Sequence, residues 1–262
     1  MKKIIFFLCV FSQFLIGIPM IGATSYGWGF KRNDQHEQPD IGSYAREIEG
    51  TSAYYVGSPD EKNVYLTFDA GYDNGRLADI LDVLKEKKVK STFFVTGDFV
   101  KRESALLKRI VEEGHIVGNH TWSHRNITAL SAEELARELE KVETAYRDLV
   151  GKEISKLFRP PAGEFNREAL EQVKKLGYST VFWSIAYKDW ETESNRGGDY
   201  AYDHIMRNLH NGAIILLHTV SQDNLEALPD IIDDLRNQDY TIKNLDSLIR
   251  PPQTGGLFLF KL

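Results

Sequence analysis

Six polar residues of this chain are of the types that carry out hydrolysis, and each lies where an apolar run gives way to a loop. They are Asp69, His120, His124, Arg159, Asp189 and His218. Two imidazoles can hold a divalent cation, and a carboxylate with a third imidazole can accept and donate protons. The combination indicates a metal-assisted hydrolase rather than a binding protein.

The histidine pair is the candidate metal site. His120 and His124 are spaced so that both rings can face one side of a helical turn or a compact loop. Neutral imidazole suits zinc and also cobalt, nickel or iron, so the pair leaves the metal open. The spacing alone is a weak signal, and a structural role, with one ring packed on Trp122 and the other capping the next helix, is an equal alternative.

The segments that must position these groups alternate between strand and helix. Apolar, β-rich runs predict seven strands, at 64–68, 92–96, 115–118, 156–158, 180–185, 213–217 and 240–242. Between them lie runs of helical period, of which one begins with a capping box at Ser131 and Glu134 and ends at Gly151. The alternation predicts an α/β fold, a distorted (β/α) barrel of about seven parallel strands. An open doubly wound sheet is the alternative.

A barrel would bring the dispersed polar residues together. In parallel α/β folds the active site gathers at the carboxyl ends of the strands. Asp69 ends the first predicted strand, Arg159 the fourth and His218 the sixth, while the histidine pair follows the third. We therefore expect all six residues at one mouth of the barrel.

The amino-terminal residues are typical of a secretory signal. Lys2 and Lys3 precede an apolar run from 4 to 18, and small residues follow near Gly22. The sequence predicts a signal peptide at 1–23, with an uncleaved membrane anchor as the alternative. Both place the protein outside the cytosol, secreted or extracytoplasmic. Because Cys9 lies in this leader, we expect no disulfide in the mature chain.

The remaining chain divides into three predicted parts. Residues 24–62 form an amino-terminal extension packed on the domain, 63–250 the catalytic domain, and 251–262 a carboxyl-terminal tail. The formal net charge of −6 and the absence of a concentrated basic stripe exclude nucleic acid as an expected partner. We expect a monomer.

Five segments of the chain resemble, in order, the motifs of the polysaccharide deacetylases, the NodB-homology carbohydrate esterases. They are Thr-Phe-Asp-Ala-Gly at 67–71, His-Thr-Trp-Ser-His at 120–124, Arg-Pro-Pro-Ala-Gly at 159–163, Asp-Trp at 189–190 and Leu-Leu-His at 216–218. The resemblance covers roughly residues 63 to 248. It implies hydrolysis of an N-acetyl group from a polysaccharide with a divalent metal, zinc before cobalt or another ion.

The resemblance also implies a role for each residue. Asp69 would be the general base and Arg159 would orient it. His218 would be the general acid, and Asp189 would tune it. His120 and His124 would be the metal ligands. For Arg159 and Asp189 the alternative is a structural ion pair.

One position departs from the family pattern. The family usually shows a second aspartate after the base, which completes an Asp-His-His metal site, and this chain has Ala70 there. A methyl group cannot bind a cation. The site would then use two imidazoles and water, or recruit Asp69, Asp73 or Asn74 from the same loop. Our hypothesis is a weakly held, exchangeable metal, with Asp73 as the substitute ligand to test.

Two further segments point to a subgroup. Residues 28–33, Trp-Gly-Phe-Lys-Arg-Asn, and 201–204, Ala-Tyr-Asp-His, resemble the peptidoglycan N-acetylmuramate deacetylases that prepare muramic δ-lactam in the spore cortex of spore-forming bacteria. This implies peptidoglycan glycan strands as the partner, in the cell wall or forespore envelope. A muramate carries a lactyl carboxylate and calls for a basic group near the mouth; the candidates are Arg125, Arg167, Lys188 and Arg196.

Residues beside the motifs are the predicted sugar-binding groups. They are Tyr72, Trp122, Pro161, Tyr187 and Trp190, while Trp183 lies in an apolar strand and is predicted to be core. Alternative substrates are peptidoglycan N-acetylglucosamine or chitooligosaccharides. Alternatives of other classes are a glycosidase that pairs Asp69 with Asp189 and a catalytically impaired glycan-binding protein.

Overall fold

The computed structural model describes residues 24–249. The predicted signal peptide with Cys9 and the predicted tail lie outside the described residues. Within 24–249, no helix combines the length and the apolar character needed to cross a membrane.

In the described part of the chain, strands and helices alternate as predicted. The strands are β1 (Tyr26–Gly27), β2 (Ala53–Tyr54), β3 (Asn63–Ala70), β4 (Thr92–Val95), β5 (Ile116–Asn119), β6 (Leu157–Phe158), β7 (Glu164–Phe165), β8 (Ser179–Val181), β9 (Ala213–His218) and β10 (Thr241–Ile242). The helices are α1 (Tyr44–Ile48), α2 (Leu77–Glu86), α3 (Gly97–Arg102), α4 (Ser104–Glu112), α5 (Ala132–Val150), α6 (Arg167–Lys175), α7 (Gly198–Arg207), α8 (Gln222–Asn237) and α9 (Asp246–Ile249). Short 3-10 turns span Ile127–Ala129 and Pro161–Gly163.

Helix α5 shows how closely local sequence sets these bounds. Ser131 and Glu134 form the predicted capping box, in which each side chain accepts from the other residue's backbone N–H. The helix ends at Gly151, whose φ of +74° lies in the left-handed region that glycine adopts without strain.

The main sheet is a parallel one that curls into an incomplete barrel. Its strand order is β10-β3-β4-β5-β6-β8-β2, and β9 pairs with β3 from Val64 to Asp69. The segment after β8 reaches β9 through the parallel bridge Ile185↔Ile215, which brings the two sides of the curl together. The predicted barrel of parallel strands is confirmed, and the open doubly wound sheet is not observed.

All seven predicted strands are present, and one further strand joins them. Strand β2 comes from the stretch 24–62 and pairs in parallel with β8, with Ala53 opposite Thr180. Its two residues, Ala53 and Tyr54, are too few to show a period in the sequence. The same stretch contributes Trp28, which stacks on Phe182 with ring centroids 4.1 Å apart.

Alternation along β3 decides which side chains reach the interior of the barrel. Val64, Leu66, Phe68 and Ala70 belong to the large apolar cluster shared with the surrounding helices. Tyr65 belongs to a separate cluster with Phe94 and Leu157. Since successive side chains on a strand point to opposite faces, Asp69 shares the side of Tyr65 and Thr67. Asp69 therefore faces into the barrel at its carboxyl-terminal mouth.

The burial of His115, which precedes β5, leads us to expect a loss of stability in acid. His115 is buried, its Nδ1 accepts from the Ser91 N–H at 3.1 Å, and its Nε2 has no hydrogen-bond partner among the described residues. Burial, aided by the charge of Lys90, lowers the pKa of His115 from 6.5 to about 4. Between these values the unfolded chain binds the extra proton, so stability falls as the pH drops.

We expect His115 to account for about 2 kcal/mol of the unfolding free energy lost between pH 7.5 and pH 5. Urea unfolding of the wild type and of His115→Asn at both pH values measures this contribution. Other buried histidines also titrate, so the difference between the two proteins is the relevant quantity. Equal losses in the two proteins would contradict the assignment.

Candidate active site

A cavity of about 750 Å³ opens at the carboxyl-terminal ends of the strands. The predicted site residues that line it are Asp69, Tyr72, His120, Trp122, His124, Trp190 and His218. Gly71, Thr96, Asp98, Ser123, Ala162, Gly163, Trp183, Leu216 and Val220 complete the lining. Loops after six strands of the barrel thus converge on one space.

Asp69 is held by a fully buried arginine. Arg159 Nη1 donates to Asp69 Oδ1 at 2.8 Å, and its Nη2 donates to Thr67 Oγ1 at 2.9 Å. The guanidinium carbon lies 4.2 Å from the ring centroid of Phe94, and Nε donates to the carbonyl of Val181. These contacts fix the guanidinium beneath the carboxylate, so Asp69 has one oxygen bound by arginine and the other, Oδ2, free to face the cavity.

The environment of Asp69 favours its anion. Burial acts to raise the pKa of this carboxyl, but the charges of Arg159, His120 and His218 and the Arg159 hydrogen bond outweigh it. The net pKa of Asp69 therefore lies below its ordinary value. A carboxylate that is ionised at neutral pH can accept a proton, as a general base must.

His218, at the end of β9, has the opposite bias. Its Nδ1 donates to Asp189 Oδ1 at 2.6 Å, and its backbone N–H donates to Asp189 Oδ2 at 2.8 Å. Burial acts to lower the pKa of His218, yet the charge and hydrogen bond of Asp189 outweigh burial and the net pKa is raised. Nε2 is the nitrogen left for the cavity, so His218 can carry a proton there and donate it.

Asp189 is itself fixed by a buried network. Asn224 Nδ2 donates to Asp189 Oδ2 at 2.6 Å, and the Tyr187 hydroxyl donates to Asn224 Oδ1 at 2.6 Å. Asn224 was not predicted from the sequence. Tyr187 was predicted to bind sugar, but it is buried behind Asp189 and lies outside the cavity lining.

His120 and His124 lie side by side at the mouth. Their ring centroids are 4.9 Å apart at an interplanar angle of 72°, and His120 Nε2 is 3.5 Å from Asp69 Oδ2. His120 Nδ1 donates to the carbonyl of Arg159 at 2.7 Å, which leaves Nε2 with its lone pair. Burial lowers the pKa of His120 to about 4 and also lowers that of His124, so both rings are neutral at pH 7.

The loop that carries the two rings is held by hydrogen bonds from side chains that were not predicted from the sequence. Asn119 Oδ1 accepts from the Thr121 N–H, and Thr121 Oγ1 accepts from the His124 N–H. Both carboxylate oxygens of buried Glu138 accept from Ser123. A signal for Glu138 was present, because it is a carboxylate within the apolar face of α5, three residues after Leu135. Such a carboxylate must find a partner on folding.

The residues predicted to bind sugar or to form core beside the motifs take different positions in the structure. Tyr72 and Trp190 line the cavity with half of their surface exposed, and Trp122 lines it while partly buried. Trp183, which was predicted to be core, packs against two apolar clusters while partly buried, and it also lines the cavity. Pro161 was predicted to bind sugar but is buried at the start of a 3-10 turn and does not line the cavity; its neighbour Ala162 does.

Comparisons with known proteins agree with this geometry. The family model described as polysaccharide deacetylase matches residues 56–181. The chain is 48% identical over 223 residues to the peptidoglycan-N-acetylmuramic acid deacetylase PdaA of Bacillus subtilis, with 85% of each chain covered. The chain belongs to the polysaccharide deacetylase family. The resemblance drawn from the five motifs is confirmed.

Solved structures of this family superpose on the chain. The structure of Bacillus subtilis PdaA, a family 4 carbohydrate esterase, matches with a TM-score of 0.83 and 47% identity and covers 86% of this chain and 97% of its own. A CE4 family pseudoenzyme from Bacillus anthracis matches with a TM-score of 0.70 at 32% identity, over 75% of this chain and 68% of its own. A peptidoglycan-N-acetylglucosamine deacetylase of Bacillus cereus is 33% identical over 78% of this chain and 97% of its own.

Polysaccharide deacetylases depend on a metal ion in general. The donor set here fits one in part: two neutral imidazoles face the cavity, and His120 has its second nitrogen bound to a carbonyl, as ligating histidines do. Within 24–249, no group of three or more His, Cys, Asp or Glu side chains is arranged around a common cation position. Ala70 is fully buried in the apolar cluster on the far side of β3 and offers only its methyl group.

The proposed substitute ligands lie outside the cavity lining. Asp73 Oδ1 accepts at 3.1 Å from the N–H of Leu77, the first residue of α2. Asn74 Nδ2 donates to the carbonyl of Val220 at 2.9 Å, while its Oδ1, the atom that could bind a cation, is buried and has no hydrogen-bond partner among the described residues. The structure therefore does not support Asp73 as a ligand, because its carboxylate lies outside the cavity lining and is bonded to the start of α2.

This arrangement predicts how zinc affinity responds to substitution. Asp73→Ala should leave zinc affinity unchanged and lower the unfolding free energy by about 1 kcal/mol, the typical net contribution of one hydrogen bond. His120→Ala should abolish specific zinc binding, because one imidazole remains. Isothermal titration of chelator-treated protein, paired with thermal unfolding, measures both. Loss of zinc binding in Asp73→Ala would restore Asp73 as a ligand.

Proposed function

We propose that this protein hydrolyses the N-acetyl group of N-acetylmuramic acid in peptidoglycan glycan strands. One observation carries the proposal: Asp69, held as an anion by Arg159, and His218, held as a proton donor by Asp189, face the same cavity beside the His120–His124 pair. The substrate class rests on the 48% identity to a peptidoglycan-N-acetylmuramic acid deacetylase over most of both chains.

The two titrating residues divide the work of amide hydrolysis. Asp69 Oδ2 takes a proton from a water molecule, whose oxygen attacks the acetyl carbonyl carbon. His218 Nε2 then gives a proton to the amide nitrogen as the carbon–nitrogen bond breaks. Acetate leaves, and a free amine remains on the sugar. Each proton transfer typically contributes roughly 10²- to 10⁴-fold to the rate.

A divalent cation, which we propose to be weakly held zinc, would be bound by His120 and His124, where it would polarise the acetyl carbonyl and acidify water. Arg159 does not face the substrate in this scheme. Its role is to keep the Asp69 carboxylate ionised and correctly oriented while water is excluded from below. Tyr72, Trp122 and Trp190 offer aromatic faces to the sugar rings at the rim.

The wider setting is also a proposal. We infer a secreted or extracytoplasmic monomer that acts on glycan strands already freed of peptide, on the route to muramic δ-lactam in the spore cortex. Residues 28–33 and 201–204 and the likeness to PdaA support this setting. Zinc as the native ion rests on the imidazole pair.

Two alternative functions have specific support, and a third, the glycosidase, does not. N-acetylglucosamine as the substrate is supported by the Bacillus cereus relative, and an impaired glycan-binding protein by Ala70 and the Bacillus anthracis pseudoenzyme. A glycosidase needs two carboxylates facing the sugar. The Asp189 side chain is fully buried behind His218, so it is not available for that role.

Incubation of the metal-loaded protein with defined glycan strands tests the proposal. Mass spectrometry of the products should show loss of an acetyl group from muramic residues, together with free acetate. Loss from glucosamine residues would favour the alternative substrate. New reducing ends would indicate a glycosidase, and co-sedimentation with glycan without acetate release would indicate a binding protein.

A further inference from the structure

Among the described residues, no basic side chain other than histidine lines the cavity to pair with the negative charge of the proposed substrate. N-acetylmuramic acid differs from N-acetylglucosamine by a lactyl group that ends in a carboxylate, so selectivity requires a cation near the mouth. Among the described lining residues there is no lysine or arginine, and Asp98 adds an exposed carboxylate. This inference rests on the proposed function.

The four basic residues considered from the sequence have other partners in the described structure. Arg125 pairs with Glu134 at 3.6 Å, and Lys188 pairs with Glu191 at 2.5 Å. Arg167 donates to the carbonyls of residues 46 and 49 in the amino-terminal stretch. Arg196 stacks on Tyr200 at 4.1 Å and donates to the carbonyl of residue 188. These contacts leave none of the four directed to the cavity.

Lys101 on α3 has a different environment. Its ammonium lies 4.4 Å from the ring centroid of Trp122, which lines the cavity between the two candidate metal ligands in sequence. Lys101 is exposed, and no carboxylate lies within 4.0 Å of it in the part of the chain that the structure describes. The Lys101 ammonium therefore has N–H donors available for a ligand, and its contact with the Trp122 ring positions it.

The indole is rigidly placed. A Cβ built on Gly97 would lie 2.3 Å from the Trp122 ring, so the ring packs directly on the backbone at the start of α3. The Gly97 N–H also lies within 3.1 Å of the carbonyls of Thr121 and Trp122. Gly97 and Lys101 are four residues apart and share one face of the helix, which places the ammonium above the same ring.

We propose that Lys101 binds the lactyl carboxylate of the muramic residue and makes the site prefer it to N-acetylglucosamine. A sugar bound at the edge of the Trp122 ring would bring its lactyl group to the ammonium, which also offsets the repulsion from Asp98. Lys101 is a specificity-determining residue in this scheme and takes no part in proton transfer. Its effect is on KM for carboxylated substrates.

Two defined substrates isolate this charge: a peptide-free tetrasaccharide of alternating N-acetylglucosamine and N-acetylmuramic acid, and the same molecule with its lactyl groups as methylamides. The measured quantity is the ratio of kcat/KM for acid over methylamide. Lys101→Met should lower the ratio about tenfold, the low end for a charge-assisted hydrogen bond. Lys101→Arg should retain most of it. Asp98→Asn should raise it about threefold, because one repulsive charge is removed.

Lys108→Met is the matched control, since Lys108 is an exposed lysine on α4 that does not line the cavity. It should leave the ratio unchanged. A ratio in Lys101→Met within twofold of the wild type would overturn the inference, and so would a fall in Asp98→Asn. These results differ from failure of the proposed function, in which the wild type releases no acetate from muramic residues in either substrate.

Discussion

Asp69→Asn is expected to lower kcat for acetate release between about 10²- and 10⁴-fold. The amide has the shape of the carboxylate, and its oxygen can still accept from Arg159 Nη1, which lies 2.8 Å from Oδ1 in the wild type. It cannot accept the proton of the attacking water. Initial rates of acetate release from the peptide-free tetrasaccharide at saturating zinc measure the effect.

The same substitution has a stability cost that must be separated from catalysis. Arg159 is fully buried, and Asp69 is its charge partner. Removing one partner of a buried pair typically costs roughly 3–5 kcal/mol. Assays at a temperature where circular dichroism shows the variant to be folded control for this. Wild-type activity in folded Asp69→Asn would remove the assignment of Asp69 as the base.

The position of the proposed catalytic side chains was predictable because it depends on two regularities. Strands in parallel α/β folds present their carboxyl ends at one edge, so the sequence alone predicts Asp69 and His218 close together. They are neighbours: Asp69 of β3 is paired with His218 of β9 in register. The two-residue period of the strand places Asp69 inside the barrel and Ala70 outside it.

In the segment after β8, the prediction that Tyr187 binds sugar is wrong. The two-residue period of extended chain explains why. Tyr187 and Asp189 are two residues apart and both are buried, whereas Lys188 and Trp190 between and after them are exposed. Side chains two residues apart in an extended chain point to the same face. Because Asp189 is a buried partner of His218, Tyr187 points to the buried side as well. Adjacency to a motif does not state which face a side chain takes.

Other features depend on contacts between segments far apart in the sequence. Glu138 meets Ser123 across a separation of 15 residues, and Asn224 meets Asp189 across 35. The position of Asp73 in the loop after the proposed base made it a reasonable candidate ligand. In the structure, however, Asp73 Oδ1 accepts a hydrogen bond from the Leu77 N–H. Several acceptors often lie within reach of one hydrogen-bond donor. Which of them it bonds depends on the packed geometry, and composition and spacing do not determine that geometry.

Electrostatics link these distant contacts to function. The proposed base and the proposed acid require opposite protonation states at one pH, and each has its own buried partner in the structure. Arg159 keeps the pKa of Asp69 low, while Asp189 keeps the pKa of His218 high. Activity should therefore rise with pH through the pKa of Asp69 and fall through that of His218. The width of the plateau reports how far the two partners separate the pKa values.

Asp189→Asn is expected to lower the maximal rate by about 10²-fold and to move the alkaline limb of the pH profile to lower pH. The charge of Asp189 and its hydrogen bond raise the pKa of His218 against the effect of burial. Without that charge, burial dominates and the imidazolium loses its proton at lower pH. Because the acid must be protonated to donate, activity then falls earlier as the pH rises.

The substitution also disturbs the hydrogen bonds that orient the ring. Asp189 accepts from His218 Nδ1, from the His218 backbone and from Asn224, so an NH₂ group at this position would face a donor. Tyr187→Phe is the matched control, because it removes the outermost hydrogen bond of the network, to Asn224, and keeps the carboxylate. Profiles of kcat/KM against pH should show a small shift for Tyr187→Phe and a large one for Asp189→Asn. An unchanged alkaline limb in Asp189→Asn would mean that a group other than His218 protonates the departing amine.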